Sequence, residues 1–201
     1  ATFNGDGCAQ TSAVCTACGY TKVTSAAKIA KVSAPKLAKT VYTYNGKVQK
    51  PSVTVKDSTG KRLKAGADYT VKDPKGRKAV GRYGVQVKLK GKYKGSRTVY
   101  FTVKPKGTSI SKVTGGKKKI TVTWKKQTAQ TTGYQIQYST SSNFKNAKTV
   151  TVSKNSTTKK TITGLKNGKK YYVRVRTYKT VKTGHKSTKY YSNWSKSKHT
   201  G

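Results

Sequence analysis

The residues best suited to chemistry stand near the start of the chain: Cys8, Cys15 and Cys18, in the stretch Cys8-Ala-Gln-Thr-Ser-Ala-Val-Cys15-Thr-Ala-Cys18-Gly19. A Cys-x-x-Cys-Gly turn lets two thiolates face one ion while the glycine relieves the backbone. A structural zinc wants four ligands and this segment supplies three. Asp6, or a residue upstream of Ala1, would have to complete the set. The other reading is a Cys8–Cys15 or Cys8–Cys18 disulfide, leaving one thiol able to cross-link two chains outside the cell. Both readings stay open on the spacing alone. No βαβ pattern surrounds the pair, so redox catalysis is not indicated.

Beyond the cysteines, the means for catalysis are scarce. The only acids are Asp6, Asp57, Asp68 and Asp73, and there is no glutamate. Glycosyl transfer needs two facing carboxyls, and general acid–base catalysis needs a positioned acid and base. The only histidines, His185 and His199, fall in a C-terminal loop and tail. Asp68-Tyr69 reads as a turn in which the carboxylate accepts a neighbouring backbone amide. The composition therefore argues against an enzyme.

Charge is the dominant property. The 201 residues hold 45 Lys+Arg against 4 Asp+Glu, a formal net charge of +41. Residues 1–24 are neutral, 25–104 carry +18 and 105–201 carry +23. Most of these cations have no acid to pair with and must be solvated. Such a field attracts polyanions through counterion release, whatever their sequence. Lysine outnumbers arginine and is spread over outward strand positions and turns, as at Lys88/Lys90/Lys92/Lys94 and Lys117-Lys118-Lys119. Point charges so distributed suit immersion in a polyanion better than the reading of base edges. Nucleic acid is thus expected to bind only non-specifically. No window approaches the roughly 18 apolar residues of a membrane helix, so no membrane insertion is expected. No signal-peptide pattern opens the chain, which reads as a mature or excised piece.

The elements that must carry these residues are strands. Thr, Val and Tyr dominate, and Tyr (14) far outnumbers Phe (3), a choice suited to half-buried pleated surfaces. Residues 25–40 read as a linker running into a first strand, with Pro35 opposing a helix. Val41-Tyr42-Thr43-Tyr44, Val53-Thr54-Val55, Tyr69-Thr70-Val71, Gly84–Leu89 and Thr98–Val103 alternate apolar and polar residues. Turn signals such as Asn45-Gly46 and Asp57-Ser58-Thr59-Gly60 separate them, the texture of a sandwich. Pro105-Lys106-Gly107 marks a break. The organisation predicted is a cysteine-containing segment over 1–24 and two tandem β-sandwiches over 25–104 and 105–201, an all-β chain.

The first sandwich resembles the bacterial Ig-like repeats of secreted surface proteins of clostridia-like Gram-positive bacteria. The residues that carry the likeness are Tyr44-Asn45-Gly46-Lys47, Pro51-Ser52-Val53, Gly66-Ala67-Asp68-Tyr69 and Gly91-Lys92-Tyr93-Lys94-Gly95-Ser96. Where those repeats have an Asn-rich stretch, this chain has Asp73-Pro74-Lys75-Gly76-Arg77. The cysteine segment resembles the zinc-knuckle half of small repeats that often precede such modules, which implies a structural zinc.

The second pattern is sharper. Ile120, Val122 and Trp124 share one strand face, as do Tyr134, Ile136 and Tyr138. Leu165 lies six residues before Tyr171, and Val173 and Val175 alternate with Arg174 and Arg176. This set resembles the fibronectin type III fold over about residues 108–200. The resemblance implies that Trp124, Tyr134, Leu165 and Tyr171 are core residues, with Tyr171 hydrogen-bonding the preceding loop. Tyr191-Ser192-Asn193-Trp194-Ser195 resembles the Trp-Ser-x-Trp-Ser box of some type III domains, which implies aromatic rings interleaved with arginines. Arg174 and Arg176, about 7 Å apart along a strand, suit that ladder with Trp194. The alternative is a ligand platform in which Tyr172, Tyr190, Tyr191 and Trp194 stack on sugar or base.

Charge and resemblance together imply a non-catalytic, extracellular or cell-surface spacer and adhesion region. Its expected partners are anionic wall polymers such as teichoic acids, or other polyanions. Two further readings are a polysaccharide-binding accessory module of a glycoside hydrolase, and a self-associating surface fibre.

Overall fold

The computed structural model describes Thr11–Val14, Thr21–Thr24 and residues 31–200. Asp6, Cys8, Cys15 and Cys18, and with them the zinc and disulfide readings, lie outside the described residues. Among the described residues every regular element is a strand. β1 (Thr11–Val14) and β2 (Thr21–Thr24) pair antiparallel. The chain divides into two compact units. The first comprises Pro51–Pro74, Gly84–Tyr100 and the described residues before Val41; the second comprises Val41–Lys50, Lys75–Tyr83 and the chain from Phe101 on.

In the first unit, β3 (Lys36–Leu37) pairs antiparallel with β5 (Val53–Thr54), with Leu37 opposite Val53. The stretch predicted as a linker thus contributes a short strand. β6 (Tyr69–Lys72) pairs antiparallel with β7 (Gly81–Leu89), with Tyr69 opposite Leu89. Period-two alternation turns Val87 and Leu89 inward, where they pack with Val55, Leu63, Tyr69 and Tyr93. Turn carboxylates stitch the connections. Asp57 Oδ1 accepts Thr59 N (2.9 Å), Thr59 Oγ1 (2.6 Å) and Lys61 N (3.0 Å). These bonds, that from the Thr59 hydroxyl foremost, hold the carboxyl of Asp57 below the usual carboxylate range. Asp68 Oδ2 accepts Lys64 N at 2.7 Å. Asp57 and Asp68 are therefore both engaged with backbone amides.

β4 is Val41–Thr43 and β8 is Ser96–Lys104. β4 runs parallel to β8, with Val41 opposite Thr102 and Thr43 opposite Lys104. In the second unit, Tyr83 stacks on Phe101 (5.4 Å) and Tyr42 meets the same ring edge-on (5.6 Å). The Tyr83 hydroxyl faces Gly76 O (2.9 Å) and Ala79 O (2.8 Å) and donates into that pair. Burial, with a smaller contribution from Tyr190, raises the Tyr83 phenol above its ordinary 10.0. A raised phenol pKa means the folded state holds its proton longer than the unfolded chain. Its contribution to stability is complete below pH 10.0 and fades as pH rises through the folded value. The difference in melting temperature between the parent and Tyr83→Phe is therefore expected to narrow above that pH. Lysine deprotonation affects both chains alike and cancels in the difference; a gap that stays constant to pH 11.5 would refute the assignment.

The rest of the second unit is a sandwich of two sheets. One has the order β13-β10-β9, from β9 (Ile110–Gly116), β10 (Lys119–Trp124) and β13 (Lys159–Thr163). The other contains β11 (Gly133–Ser139), β12 (Lys148–Val152), β14 (Tyr172–Thr183), β15 (Lys186–Tyr191) and β16 (Lys198–His199). Its order is β12-β11-β14-β15, and β16 also pairs with β14. Ile120, Val122, Trp124, Tyr134, Ile136, Val173 and Val175 project between the sheets and are at most 2% exposed. Each such side chain contributes about 1.5–3 kcal/mol by leaving water. Trp124 packs on Tyr134 at 5.2 Å. The Tyr134 hydroxyl accepts Gln127 N (2.8 Å) and faces Asn155 O (2.8 Å) and Gln127 O (3.0 Å). Two flanking loops are thereby tied to one buried ring.

Candidate functional site

The outward face of β14 carries the densest arrangement of charged and aromatic side chains. Strand period places Val173, Val175 and Thr177 inward and Arg174 and Arg176 outward. The register of β11 against β14 sets Gln137 opposite Arg174 and Gln135 opposite Arg176. Arg174 Nε donates to Gln137 Oε1 at 2.7 Å, and Arg176 donates to Gln135 Oε1 through Nε (3.0 Å) and Nη2 (2.7 Å). The glutamines fix the guanidinium planes across the sheet.

On the other side of β14 the chain leaves the ladder after Tyr191 and returns at Lys198. Two serines fill the interval. Ser192 N donates to Thr177 O (3.1 Å) while Ser192 Oγ accepts Thr177 N (3.0 Å). Ser195 repeats the pattern on Val175, with N to O at 2.8 Å and Val175 N to Oγ at 3.0 Å. Each serine thus supplies both a donor and an acceptor where a paired strand residue would. Trp194, held between these anchors, lies over Arg174 (4.9 Å) and Arg176 (4.2 Å). Arg176 also stacks on Tyr191 (4.0 Å), and Arg174 on Phe144 (4.1 Å). The order through the stack is Phe144, Arg174, Trp194, Arg176, Tyr191. Burial lowers the basicity of Arg176; Tyr191 opposes that shift and the charge of Arg174 adds to it. This is a partly desolvated cation–π ladder, in which such contacts exceed the roughly 0.5–1 kcal/mol of exposed pairs.

Phe144 was not singled out from sequence. It sits in the β11–β12 loop at a φ of 60°, a left-handed conformation that is uncommon for a bulky residue. No spacing rule ties it to Arg174, thirty residues on; the only signal was that Phe is rare in this chain. Gln135 and Gln137 were visible only as the polar positions of a strand.

The side chains considered as a ligand platform do not form one surface. Tyr190, Tyr191 and Trp194 line an open groove of about 570 Å³ with Thr102, Lys104 and Lys189. Tyr172 instead meets His199 (5.6 Å) and Lys170 Nζ (5.7 Å). It stands six residues along β14 from Tyr178, the partner of Tyr191, or about 20 Å. Within the groove, the Trp194 ring is engaged by two guanidiniums and Tyr191 by one. A stacking sugar would have to displace them. Tyr134, Trp124, Leu165 and Tyr171 are buried, and the Tyr171 hydroxyl accepts Lys166 N at 3.1 Å from the loop before it. The stack braces the sheet face; among the described residues no group of three or more His, Cys, Asp or Glu is placed to hold a metal.

Residues 103–193 match the model of the fibronectin type III domain. Strands β9 to β15 of the sandwich that carries the ladder lie within that match. Among solved structures, the chain is similar to a segment of two fibronectin type III domains from chicken tenascin, at 17% identity and a TM-score of 0.41. That match covers 82% of this chain and 98% of the other. A second, the chicken CNTN1 FN1-FN3 domains, is 20% identical with a TM-score of 0.33, covering 57% of this chain and 43% of that one. No curated protein matches the chain.

Proposed function

We propose that this chain is a non-catalytic extracellular spacer and adhesion region, held to anionic polymers by its lysines. The parent is read as a secreted or surface protein of a Gram-positive bacterium, with the first sandwich an Ig-like module ahead of the type III domain. One observation carries the reading: from Lys75 to Gly201 there is no acidic side chain at all. The charge of the type III domain therefore has no side-chain carboxylate within it to pair with. An external polyanion meets that need, through the release of its counterions. The fold supports the spacer role, since fibronectin type III domains are typical of extracellular modules and the ladder braces this one.

The test is retention of the full chain on purified teichoic-acid-bearing walls, on neutral polysaccharide and on duplex DNA, measured between 0.05 and 0.5 M NaCl as conditions of the assay. Walls should retain the chain at low salt and release it by about 0.5 M, where exposed charges are screened. DNA should follow the same curve without sequence preference. Retention on neutral polysaccharide that survives salt and is lost in Trp194→Ala would replace this reading with a carbohydrate platform. A large assembly that dissolves in reductant would replace it with a cross-linked fibre.

A further inference from the structure

We propose that a depression at one end of the type III domain, ringed by Lys119, Lys166, Lys169 and Lys170, is a discrete site for a tetrahedral oxyanion. The ligand class is the phosphate or sulfate ester group of an anionic polymer, so the inference deepens the polyanion reading and rests on it. The depression measures about 470 Å³, within the range of small-ligand clefts. Its floor is formed by buried Ile120, Leu165, Tyr171 and Thr200.

The frame is stitched from three separate stretches of chain. Leu165 N donates to Lys118 O (3.0 Å), joining the loop before β14 to the β9–β10 turn. Lys166 N donates to the Tyr171 hydroxyl (3.1 Å). Thr200 N donates to Tyr171 O (3.1 Å), and Tyr171 N to Thr200 Oγ1 (3.1 Å). The lysines therefore spring from a braced rim. Gly115, Gly116 and Gly168 line the same space; Thr200 lies against Gly115 and the Lys119 side chain against Gly116, so the backbone is open to a ligand at Gly168. Gly168 holds a φ of 66°, and its added Cβ would meet nothing within 4 Å.

Two features set this cluster apart from the general lysine coat. It is concave: Lys119, Lys166, Lys169 and Lys170 line one shared volume, and an anion seated there would relieve the repulsion among them. The neighbouring turn residue Lys118 also occupies a φ of 51°, where glycine or asparagine is the low-cost choice. A lysine thus stands at a position whose backbone disfavours it, next to Lys119 of the rim. The arginines of the ladder, by contrast, are sandwiched by rings and bonded to Gln135 and Gln137, so oxyanion capture falls to the lysines.

The test is a titration of the ¹⁵N-labelled full chain with inorganic pyrophosphate and, separately, with sulfate in about 0.15 M NaCl, where long-range attraction is screened. Amide shifts should saturate and concentrate at Gly116, Lys166, Gly168 and Lys169. Changing Lys119, Lys166, Lys169 and Lys170 together to Gln should abolish saturation. The same change at Lys112, Lys154, Lys160 and Lys196, exposed lysines that do not line the depression, removes equal charge and should leave saturation in place. For a polyol phosphate polymer and a sulfated polysaccharide assayed side by side, the rim variant should lose about tenfold more affinity than the control variant. The polymer showing the larger loss names the source of the oxyanion. Equal losses in the two variants, or shifts spread evenly over the surface, would overturn the site while leaving general polyanion association intact. Localised pyrophosphate shifts in a chain that holds neither polymer would keep the site and remove the adhesion reading.

Discussion

Gly133→Ala is expected to lower the melting temperature of the second sandwich by about 12 °C or more. Gly133 opens β11, the strand flanked by β12 and β14, and pairs with Tyr178. A Cβ at this position would lie 2.1 Å from Val152 O and 3.1 Å from Cε1 and the hydroxyl of Tyr178. The first of these is backbone in the adjoining strand, next to the Tyr134–Val152 pair, so relief requires parting β11 from β12. Overpacking that a side-chain rotation cannot relieve costs about 3 kcal/mol or more. For a domain of this size each kcal/mol moves the midpoint by roughly 4–8 °C. Gly84→Ala, a strand glycine of the first unit, is the comparison, read on that unit's own melting. Its Cβ would meet Thr98 Cγ2 at 2.9 Å and Tyr100 Cε1 at 3.0 Å, which are side-chain atoms able to turn away, so its loss should be less than half as large. Thermal denaturation followed by circular dichroism measures both. Equal effects of the two substitutions would contradict the contact at Val152.

Trp194→Ala is expected to cost about 2–3 kcal/mol, and the loss should depend on salt. The ring lies over two guanidiniums at 4.9 and 4.2 Å, contacts worth roughly 0.5–2 kcal/mol each according to their desolvation. Its removal also leaves Arg174 and Arg176 facing each other across about 7 Å. That repulsion weakens as the Debye length contracts, so the deficit should shrink between 0.05 and 0.5 M NaCl in the denaturation assay. The Gly133→Ala deficit, being steric, should not. Trp194→Phe keeps a ring and should recover about half of the loss. Retention on anionic polymer should persist in Trp194→Ala below its melting temperature. A deficit independent of salt would mean that the ring acts by packing alone.

Much of the second sandwich could be read from local pattern, because side-chain alternation along a strand is a property of the residues themselves. Ile120, Val122 and Trp124 announce one face, and Val173 and Val175 leave Arg174 and Arg176 on the other. The fibronectin type III likeness rested on those positions, and the family match falls across them. What local pattern does not contain is register. That Gln135 stands opposite Arg176, and that Phe144 closes the stack on Arg174, follows from pairings between distant strands and from a loop of unusual backbone. The parallel partnership of β4 with β8 is non-local in the same way. Residues 25–40 read as a linker because a two-residue strand is too short to display alternation, and Lys36–Leu37 is such a strand. The lysine rim was hidden among 45 cations, since Lys119 and Lys166 meet only when the β9–β10 turn and the loop before β14 are brought together. The three cysteines belong to a stretch the structure does not describe.

The serines of the ladder box also bear on how copies of this chain behave when crowded. A strand flank with open amides and carbonyls is a template for another chain, and β14 would present one between Tyr191 and Lys198. Ser192 and Ser195 close that flank with their own amides and hydroxyls. The edge strands β12 and β13 carry Lys148, Lys159 and Lys160, and the edge strands β9 and β15 carry Lys112, Lys186 and Lys189, whose like charges keep two copies from zipping together. That safeguard is electrostatic. A polymer dense enough to neutralise the lysines would lift it, so the chain should stay monodisperse alone and condense into gel-like, polymer-bridged networks near charge equivalence.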